Sequence, residues 1–312
     1  MGRFPWPAAL TITLPALLLA AGETGEPGTA APPFRMVVSV NLMVSVNEND
    51  ARAALKVWAG TVEKQLGMGI DFRRGVLVTR EQLLHAVRRG EVEGFAATVL
   101  DYLQVADYAD QSLLVLDEVY ATRGEEYLIL AHQESGIRSF RDLRGRKLTI
   151  YGNPTMCLAP AWLRILANEL GAGRIEGFLS AITQDTNLSR GVVLPVFFRR
   201  ADACMVTRRM YETLCELNPQ LQRQLCIVET SPKLVPIVMA FQKDSTPDRR
   251  RRFAQALLSL PDSPVGQQLI ALFQGGRFRL RDASSLAPTI ALVKTAERLS
   301  NREGTGSLRR PE

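Results

Sequence analysis

The chain has 312 residues, of which 46% are hydrophobic and 22% charged, with 23 Gly and 17 Pro. This length accommodates one large or two ordinary domains, and the composition excludes a disordered polymer, a collagen-like repeat and a disulfide-dense miniprotein. The formal net charge is +6, carried by 32 Arg against 6 Lys. Such a surplus raises the question of a nucleic acid or an anionic membrane surface as partner.

The first residues have the pattern of an export signal. Arg3 gives a positive start, residues 8–21 form an uncharged apolar run, and small residues precede Glu23. The run is shorter than the about 20 residues that span a bilayer. We therefore predict a signal peptide over 1–22, a flexible lead-in over 23–33 and an exported mature protein. A frayed apolar terminus or a short anchor is the alternative.

Much of the basic surplus is expected outside the presumed ligand cleft. Residues 301–312 are rich in Gly, Ser and Arg and are predicted to form a disordered tail. The run Arg249–Arg252 is expected on one solvated face of a helix. Together with Arg3, these arginines account for much of the surplus, so nucleic-acid binding is not supported.

Strands and helices alternate through the first half of the body. Strands are predicted at 35–41, 70–73, 94–97, 113–120 and 126–131. Helices are predicted at 48–65, from Thr79 to Gly90, and at 99–108. Asn47 is a favourable N-cap for the first helix, and Thr79 with Gln82 forms a capping box for the second.

A second series of elements begins near Ser139. Strands are predicted at 147–151, 202–206, 225–229 and 235–241, and helices at 158–170, 187–198 and 208–217. The last helices begin at Pro247, Ser263 and Ala283. Repeated alternation predicts an α/β fold with parallel sheets covered on both faces, and the length favours two domains.

The sequence offers no catalytic set, metal site or cofactor motif. His85 and His132 have no evident partner, and the four cysteines lack metal-ligand spacing. Nucleophile elbows, phosphate loops and dinucleotide fingerprints are absent from the sequence. Export permits a Cys215–Cys226 disulfide, with buried free thiols as the alternative for all four, Cys157 and Cys204 included. Spacing does not decide between them.

Polar residues cluster where predicted strands end and helices begin. Four such segments stand out, at 41–49, 97–102, 151–157 and 183–187. Ligands of open α/β sheets bind beyond the carboxyl ends of the strands, where helix N-termini suit anions. Helix capping explains any one segment, but four without catalytic groups favour a binding cleft between domains.

Several segments match a known family in chain order. They are 84–95 with Leu84, Gly90 and Glu93, then Tyr102, 135–147 (SGIRSFRDLRGRK), 158–163, 200–203 and 216–232. Over residues 34–278 the chain resembles the PhnD-like family of exported solute-binding proteins for phosphate, phosphite or phosphonate. The segment 135–147 is the most specific of the matches.

The resemblance implies an α/β, two-lobed periplasmic-binding-protein fold of type II, in which each lobe is a mixed sheet flanked by helices. Lobe 1 would comprise 34–130 plus 238–300, and lobe 2 would comprise 131–237. The lobes would close like a hinge on a small solute. The protein would be a periplasmic monomer that delivers this solute to an ABC permease. A sensor kinase is the alternative partner, and an enzyme using Cys157 or Cys204 near His132 is the least favoured reading.

Seven residues are expected to contact the ligand. They are Asn41, Ser45, Thr98 and Tyr102 in lobe 1, and Asn153, Thr155 and Asn187 in lobe 2.

One segment departs from the family pattern. Phosphonate binders that resemble this chain carry a hydroxyl-rich run where residues 153–157 hold one hydroxyl, and Pro154 lacks an N–H. A tetrahedral dianion would lose several charge-assisted hydrogen bonds, each of about 1.5–3 kcal/mol. We therefore expect an organic anion of lower charge rather than a phosphonate, and Met156, Tyr102 and Tyr151 favour one with an apolar body.

Overall fold

A computed structural model describes residues 32–43, 47–71, 77–272 and 275–306. The predicted signal peptide, most of the lead-in and Ser45 lie outside the described residues. In the part of the chain that is described, every helix is too short or too polar to cross a bilayer.

The described strands alternate with helices, as the sequence predicts. The strands are β1 (Phe34–Ser39), β2 (Ile70–Asp71), β3 (Leu77–Val78), β4 (Gly94–Thr98), β5 (Ala109–Asp117), β6 (Tyr127–His132), β7 (Lys147–Tyr151), β8 (Ala181–Asp185), β9 (Ala203–Thr207), β10 (Leu225–Thr230), β11 (Ile237–Gln242) and β12 (Phe278–Arg281). The helices are α1 (Glu48–Leu66), α2 (Arg80–Arg88), α3 (Val99–Leu103), α4 (Glu118–Thr122), α5 (Ala159–Glu169), α6 (Ile175–Phe178), α7 (Leu194–Phe197), α8 (Arg208–Leu217), α9 (Gln220–Gln224), α10 (Pro247–Leu258), α11 (Pro264–Leu272) and α12 (Ala287–Gly306).

Local capping sets several helix starts where the sequence places them. The Asn47 side chain accepts hydrogen bonds from the first-turn amides of α1, and Thr79 with Gln82 forms the predicted capping box of α2. Pro247 occupies the first turn of α10, where its missing N–H costs nothing.

The strands form two mixed sheets, as the family resemblance implies, and not the parallel sheets that the alternation of elements predicts. The first has the order β12-β5-β11-β4-β1-β2, with β3 also paired to β1, and the second has the order β10-β6-β9-β7-β8. In the first sheet, β1 and β4 are parallel while β11 runs antiparallel to both β4 and β5. In the second, β7 is parallel to β8 and β9, and β6 is antiparallel to β9 and β10.

The chain passes between the sheets twice, at residues 123–126 and 231–236. The crossovers are joined by a pair of backbone hydrogen bonds of 2.8 Å between Glu125 and Leu234. Gly124 has φ +73°, and a Cβ there would lie 2.7 Å from the Lys233 Cβ. A side chain at position 124 would therefore push the crossovers apart. They lie a few residues before the lobe boundaries expected at 130/131 and 237/238, and the division into two moving lobes stays a prediction.

Two hydrophobic cores hold the sheets. One continues from the first sheet through the second, from Leu83 and Phe95 to Trp162 and Val206. The other fills the opposite face of the first sheet, beneath α1, α10 and α11, and includes Phe34, Trp58 and Phe253. The Phe34 and Phe253 rings stack with centroids 4.2 Å apart.

Several element predictions are wrong. The predicted strand 113–120 ends at Asp117 because the Asp117 carboxylate accepts from the Val119 amide and starts α4. Strands β8 and β12 were not expected; both lie at sheet edges and expose most residues, so they lack a buried apolar run. Helix α12 extends to Gly306, through six residues of the predicted tail, since Arg302 and Glu303 favour helix and Gly follows only at 304. Residues 307–312 lie outside the described residues.

Only Arg251 and Arg252 of the run Arg249–Arg252 are exposed as the sequence predicts. The Arg249 and Arg250 side chains are only 18% and 12% exposed and pair with Glu93 and Asp110. Their charge is balanced inside the fold.

Candidate ligand-binding site

The turn that follows β7 is a closed network of hydrogen bonds. The Asn153 Oδ1 accepts from the amide and the hydroxyl of Thr155, at 3.0 and 2.8 Å. Asn153 Nδ2 donates to the Tyr151 hydroxyl at 3.2 Å, and the Tyr127 hydroxyl donates to the Thr155 carbonyl at 2.6 Å. The turn is therefore held rigid, and its one hydroxyl already has an acceptor.

A cavity of about 120 Å³ lies between this turn and the first sheet. Its polar lining, which we call the polar end, is Asp117, Tyr120, Asn153, Thr155 and Arg209. These residues come from the ends of β5, β7 and β9 and from the helical turns that follow. The polar end therefore lies where parallel strands of both sheets finish, as expected for a ligand site in an α/β fold.

The rest of the cavity, which we call the chamber, is an apolar gap in the core of the first sheet. Its floor is the row Val38, Ala96, Met239 and Val115, which pair directly across β1, β4, β11 and β5. Its roof includes Leu55, Trp58, Leu257 and Leu269 of α1, α10 and α11. Because side chains alternate along a strand, Asp117, the last residue of β5, lies on the same face of the sheet as Val115. The chamber and the polar end are therefore adjacent on this face.

The cavity is larger than the gaps that protein cores usually contain. Protein interiors are packed as densely as organic crystals, with few gaps larger than a water molecule. A gap of this size is therefore a feature that needs an explanation other than packing.

Arg209 and Asp117 of the polar end form, together with the neighbouring Glu125, what we call the Arg209 cluster. Arg209 Nη1 lies 3.7 Å from Asp117 Oδ2, and Nε lies 3.8 Å from Glu125 Oε2. The guanidinium also stands 5.7 Å from the centroid of the Tyr120 ring. Asp117 and Glu125 are 7% and 2% exposed. The cluster therefore places two buried carboxylates around one cation.

The carboxylates of the Arg209 cluster are incompletely hydrogen-bonded. Within the described residues, no donor forms a hydrogen bond with Asp117 Oδ2 or Glu125 Oε2. Burial raises the pKa of Glu125, and the Arg209 charge opposes the rise only in part. Buried polar atoms without partners are rare in folded proteins, so Asp117 at the cavity wall marks a place for a donor from outside.

The structure brings two of the seven predicted residues, Asn153 and Thr155, to the cavity. Thr98 ends β4 opposite Ile237, which does line the cavity, but its hydroxyl accepts from the Asp101 amide. Tyr102 is 1% exposed and packs against Phe95 in the core. Asn41 is exposed after β1, and Asn187 is exposed and caps the turn that precedes α7. Their contact with a ligand stays a prediction, as does that of Ser45.

A second, open groove of about 430 Å³ adjoins the cavity. It is lined by Tyr151, Gln184, Thr186 and Cys157, and it shares Asn153 and Pro154 with the cavity. The turn after β7 therefore lies between the cavity and a wider, open groove.

A protein-family model identifies the chain. The model of the periplasmic substrate-binding protein of phosphonate ABC transporters matches residues 42–286, more than half of the chain. The chain belongs to this family. Its members bind a solute for transport, as the sequence predicts, and a sensor role is not favoured. A search of curated proteins finds no match.

Solved structures show the fold of the family member. A binding protein of an ABC phosphonate transporter from Pseudomonas aeruginosa is 12% identical, with 87% of this chain and 89% of that chain covered and a TM-score of 0.57. PhnD1 of Prochlorococcus marinus, solved with methylphosphonate, is 13% identical over 86% and 97%, with a TM-score of 0.55. A Xanthomonas citri protein solved with ATP is 16% identical over 86% and 98%, with a TM-score of 0.58. These likenesses confirm the predicted two-lobed α/β architecture.

The binding protein carries site residues that sequence reasoning missed. Asp117 was placed inside a strand, so the strand-to-helix junction at its carboxyl end went unseen. Arg209 follows a junction whose strand and helix were both predicted, at 202–206 and 208–217. Arg209 is a polar residue just beyond the end of the predicted strand 202–206, so the rule that selected the four polar segments also selects Arg209.

The four cysteines of the binding protein are free thiols, so the Cys215–Cys226 disulfide does not form. Burial raises the pKa of Cys157 and of Cys204 to about 12. The Asp101 charge adds to the rise at Cys157. Thiols with such pKa values are poor nucleophiles at neutral pH.

Proposed function

We propose that the protein captures a small organic acid at the polar end of the cavity and delivers it to an ABC permease. The observation that carries this is Arg209, the sole cation among the described residues that line the cavity. Its guanidinium presents a planar set of donors that matches a carboxylate or sulfonate.

The charge of the Arg209 cluster narrows the solute further. Two carboxylates surround one guanidinium, and Asp117 Oδ2 lacks a hydrogen-bond donor among the described residues. A simple anion would face this carboxylate without compensation. The proposed solute therefore carries an N–H or O–H donor beside its acid group, as amino acids and 2-hydroxy acids do.

A phosphonate dianion is a poor fit for the turn after β7. The Thr155 hydroxyl and amide are both donated to Asn153, and Pro154 has no N–H. Few donors are left for three anionic oxygens. A singly charged acid group needs fewer donors and leaves Arg209 as its main partner.

During capture, the paired crossovers would act as a hinge between the two lobes. Lobe 1 would comprise residues 34–130 and 238–300, and lobe 2 would comprise residues 131–237. Two observations support this: the chain passes between the sheets at these two short segments, and one backbone bridge, between Glu125 and Leu234, joins them. The protein would act as a monomer, exported by residues 1–22. It would not be an enzyme, since the thiols with raised pKa values offer no nucleophile.

The proposal is tested by native mass spectrometry of protein purified from the periplasm, followed by calorimetry with a panel. The panel contains lactate, alanine, butyrate, methanesulfonate and methylphosphonate. A bound solute should stabilise the fold by about 2.7 kcal/mol at a hundredfold excess over its dissociation constant. We expect lactate or alanine to bind, and Arg209→Gln to weaken binding by at least tenfold.

Arg208→Gln is the matched control, because Arg208 pairs with Glu126 and does not line the cavity. Equal losses in the two variants would contradict the role of Arg209. Methylphosphonate as the tightest ligand of the panel would contradict the preference for a singly charged acid.

A further inference from the structure

The chamber has the character of a ligand subsite rather than a packing defect. Its floor is a single row of paired residues, with the small Ala96 between Val38 and Met239. Each of these residues belongs to or packs against the same core, yet the space between floor and roof is not filled. Engineered apolar cavities of about 150 Å³ stay dry and bind benzene or xenon. The whole cavity, chamber and polar end together, measures about 120 Å³.

The chamber adjoins the polar end along β5 and β11. Ile237 and Asp117 lie one strand step from Met239 and Val115, on the same face of the sheet. A molecule held at Arg209 by an acid group therefore has a continuous apolar space beside it. No charged side chain of the described residues lines that space beyond the polar end.

We propose that the chamber binds the hydrocarbon body of the transported solute, so that the substrate class is an organic acid with an aliphatic chain. This rests on the proposed function, because the acid group is placed at Arg209. The walls are aliphatic except for Trp58 and Phe278. A hydroxylated chain would bury polar atoms without partners, so sugar acids and other polyols are excluded.

The test is titration calorimetry with a series of 2-hydroxy acids of increasing chain length: lactate, 2-hydroxybutanoate, 2-hydroxyhexanoate and 2-hydroxyoctanoate. Burial of each methylene should tighten binding by about fourfold until the chamber is full. Gluconate, a chain of similar length that carries hydroxyls, should bind no better than lactate. An affinity that does not change from lactate to 2-hydroxyhexanoate overturns the proposal and leaves the proposed function intact.

The variant Ala96→Leu fills the floor of the chamber. We expect it to abolish the gain from chain length while lactate still binds. Ala53→Leu makes the same change on the exposed face of α1 and should retain the gain. If Ala96→Leu does not fold, Val115→Phe serves as the second filling variant. A retained gain in the filled variant overturns the assignment.

Benzene binding tests the apolar chamber independently of the proposed organic-acid function. Binding of benzene to the wild type, lost in Ala96→Leu, supports an apolar chamber whatever the head group is. Benzene binding with no response to any acid overturns the organic-acid function and leaves the chamber as an apolar site. A chamber that takes neither benzene nor alkyl chains is a packing gap, and the inference falls.

Discussion

Two buried arginine–carboxylate groups in this molecule differ in how well they are satisfied. Glu93 receives two hydrogen bonds from Arg249, at 2.6 and 2.9 Å, and a third from the Arg35 amide at 3.1 Å. In the Arg209 cluster the closest charge separations are 3.7 and 3.8 Å, and one oxygen of each carboxylate lacks a hydrogen bond within the described structure. The first group ties α10 to the start of β4, whereas the second lies at a cavity. Full hydrogen bonding of Glu93 fits a structural role, whereas the open oxygen of Asp117 fits the ligand contact proposed above.

The largest expected effect is on stability and follows substitution of Arg249, the arginine that is fully hydrogen-bonded to Glu93. Arg249→Met leaves Glu93 buried without its partner, and breaking a buried pair in this way costs about 3–5 kcal/mol. We expect a loss of this size in the free energy of unfolding by urea, with ligand affinity unchanged. Arg251→Met is the control, because Arg251 is exposed on the same helix and should change stability by about 0.5 kcal/mol or less. Similar losses in both variants would refute the structural role of the pair.

Asp117→Asn should weaken ligand binding and leave stability almost unchanged, the reverse of the effect expected for Arg249→Met. Asn retains an oxygen for the Val119 amide that starts α4, so stability should change by about 1 kcal/mol or less. The loss of a charged acceptor for the ligand's donor should weaken binding by about 10- to 100-fold, equivalent to about 1.5–3 kcal/mol. Calorimetry with the tightest acid of the panel measures it. Glu118→Gln, which alters the neighbouring carboxylate paired with Arg279, is the control. A large loss of stability in Asp117→Asn with unchanged affinity would show that Asp117 has a structural role and does not contact the ligand.

The two groups should also respond to pH with opposite sign. Burial alone would raise the pKa of Glu93, but the hydrogen bonds from Arg249 and Arg35 bring it below the ordinary 4.5. Its stabilisation is present above pH 4.5 and is lost as the pH falls through the lowered value. Burial raises the pKa of Glu125, so its contribution is full below pH 4.5 and is lost as the pH rises through the raised value.

Glutamine substitutions isolate these contributions. Glu93→Gln should destabilise most at neutral pH and progressively less toward pH 3. Glu125→Gln should become more stable relative to the wild type as the pH rises from 4.5 to 8. Urea unfolding across this range measures both, and slopes of the same sign would contradict the assignment.

The sequence predicts the architecture better than the site, for physical reasons. Helix caps and buried runs are local, so α2 and β7 are predicted almost to the residue. The chamber depends on the register that sets Ala96 beside Met239, from strands more than a hundred residues apart, which no local pattern encodes. The Arg209 cluster likewise joins residues from both sheets. Tyr102 was assigned to the site for its position after a strand, but a helical turn directs it into the core.

The smallest effect concerns the space beside Asp117. Gly276 approaches this carboxylate so closely that a Cβ would lie 3.2 Å from Oδ2, tighter than most such contacts. Gly276→Ala should therefore displace the carboxylate by a few tenths of an ångström without creating a cavity or an unpaired charge. We expect a change in stability of about 0.5 kcal/mol or less and a loss of ligand affinity of about threefold. Gly177→Ala is the control, because a Cβ there would meet nothing within 4 Å. If Gly276→Ala changed affinity no more than Gly177→Ala does, the open oxygen of Asp117 would not be the ligand's acceptor, and the contrast with Glu93 would be one of packing alone.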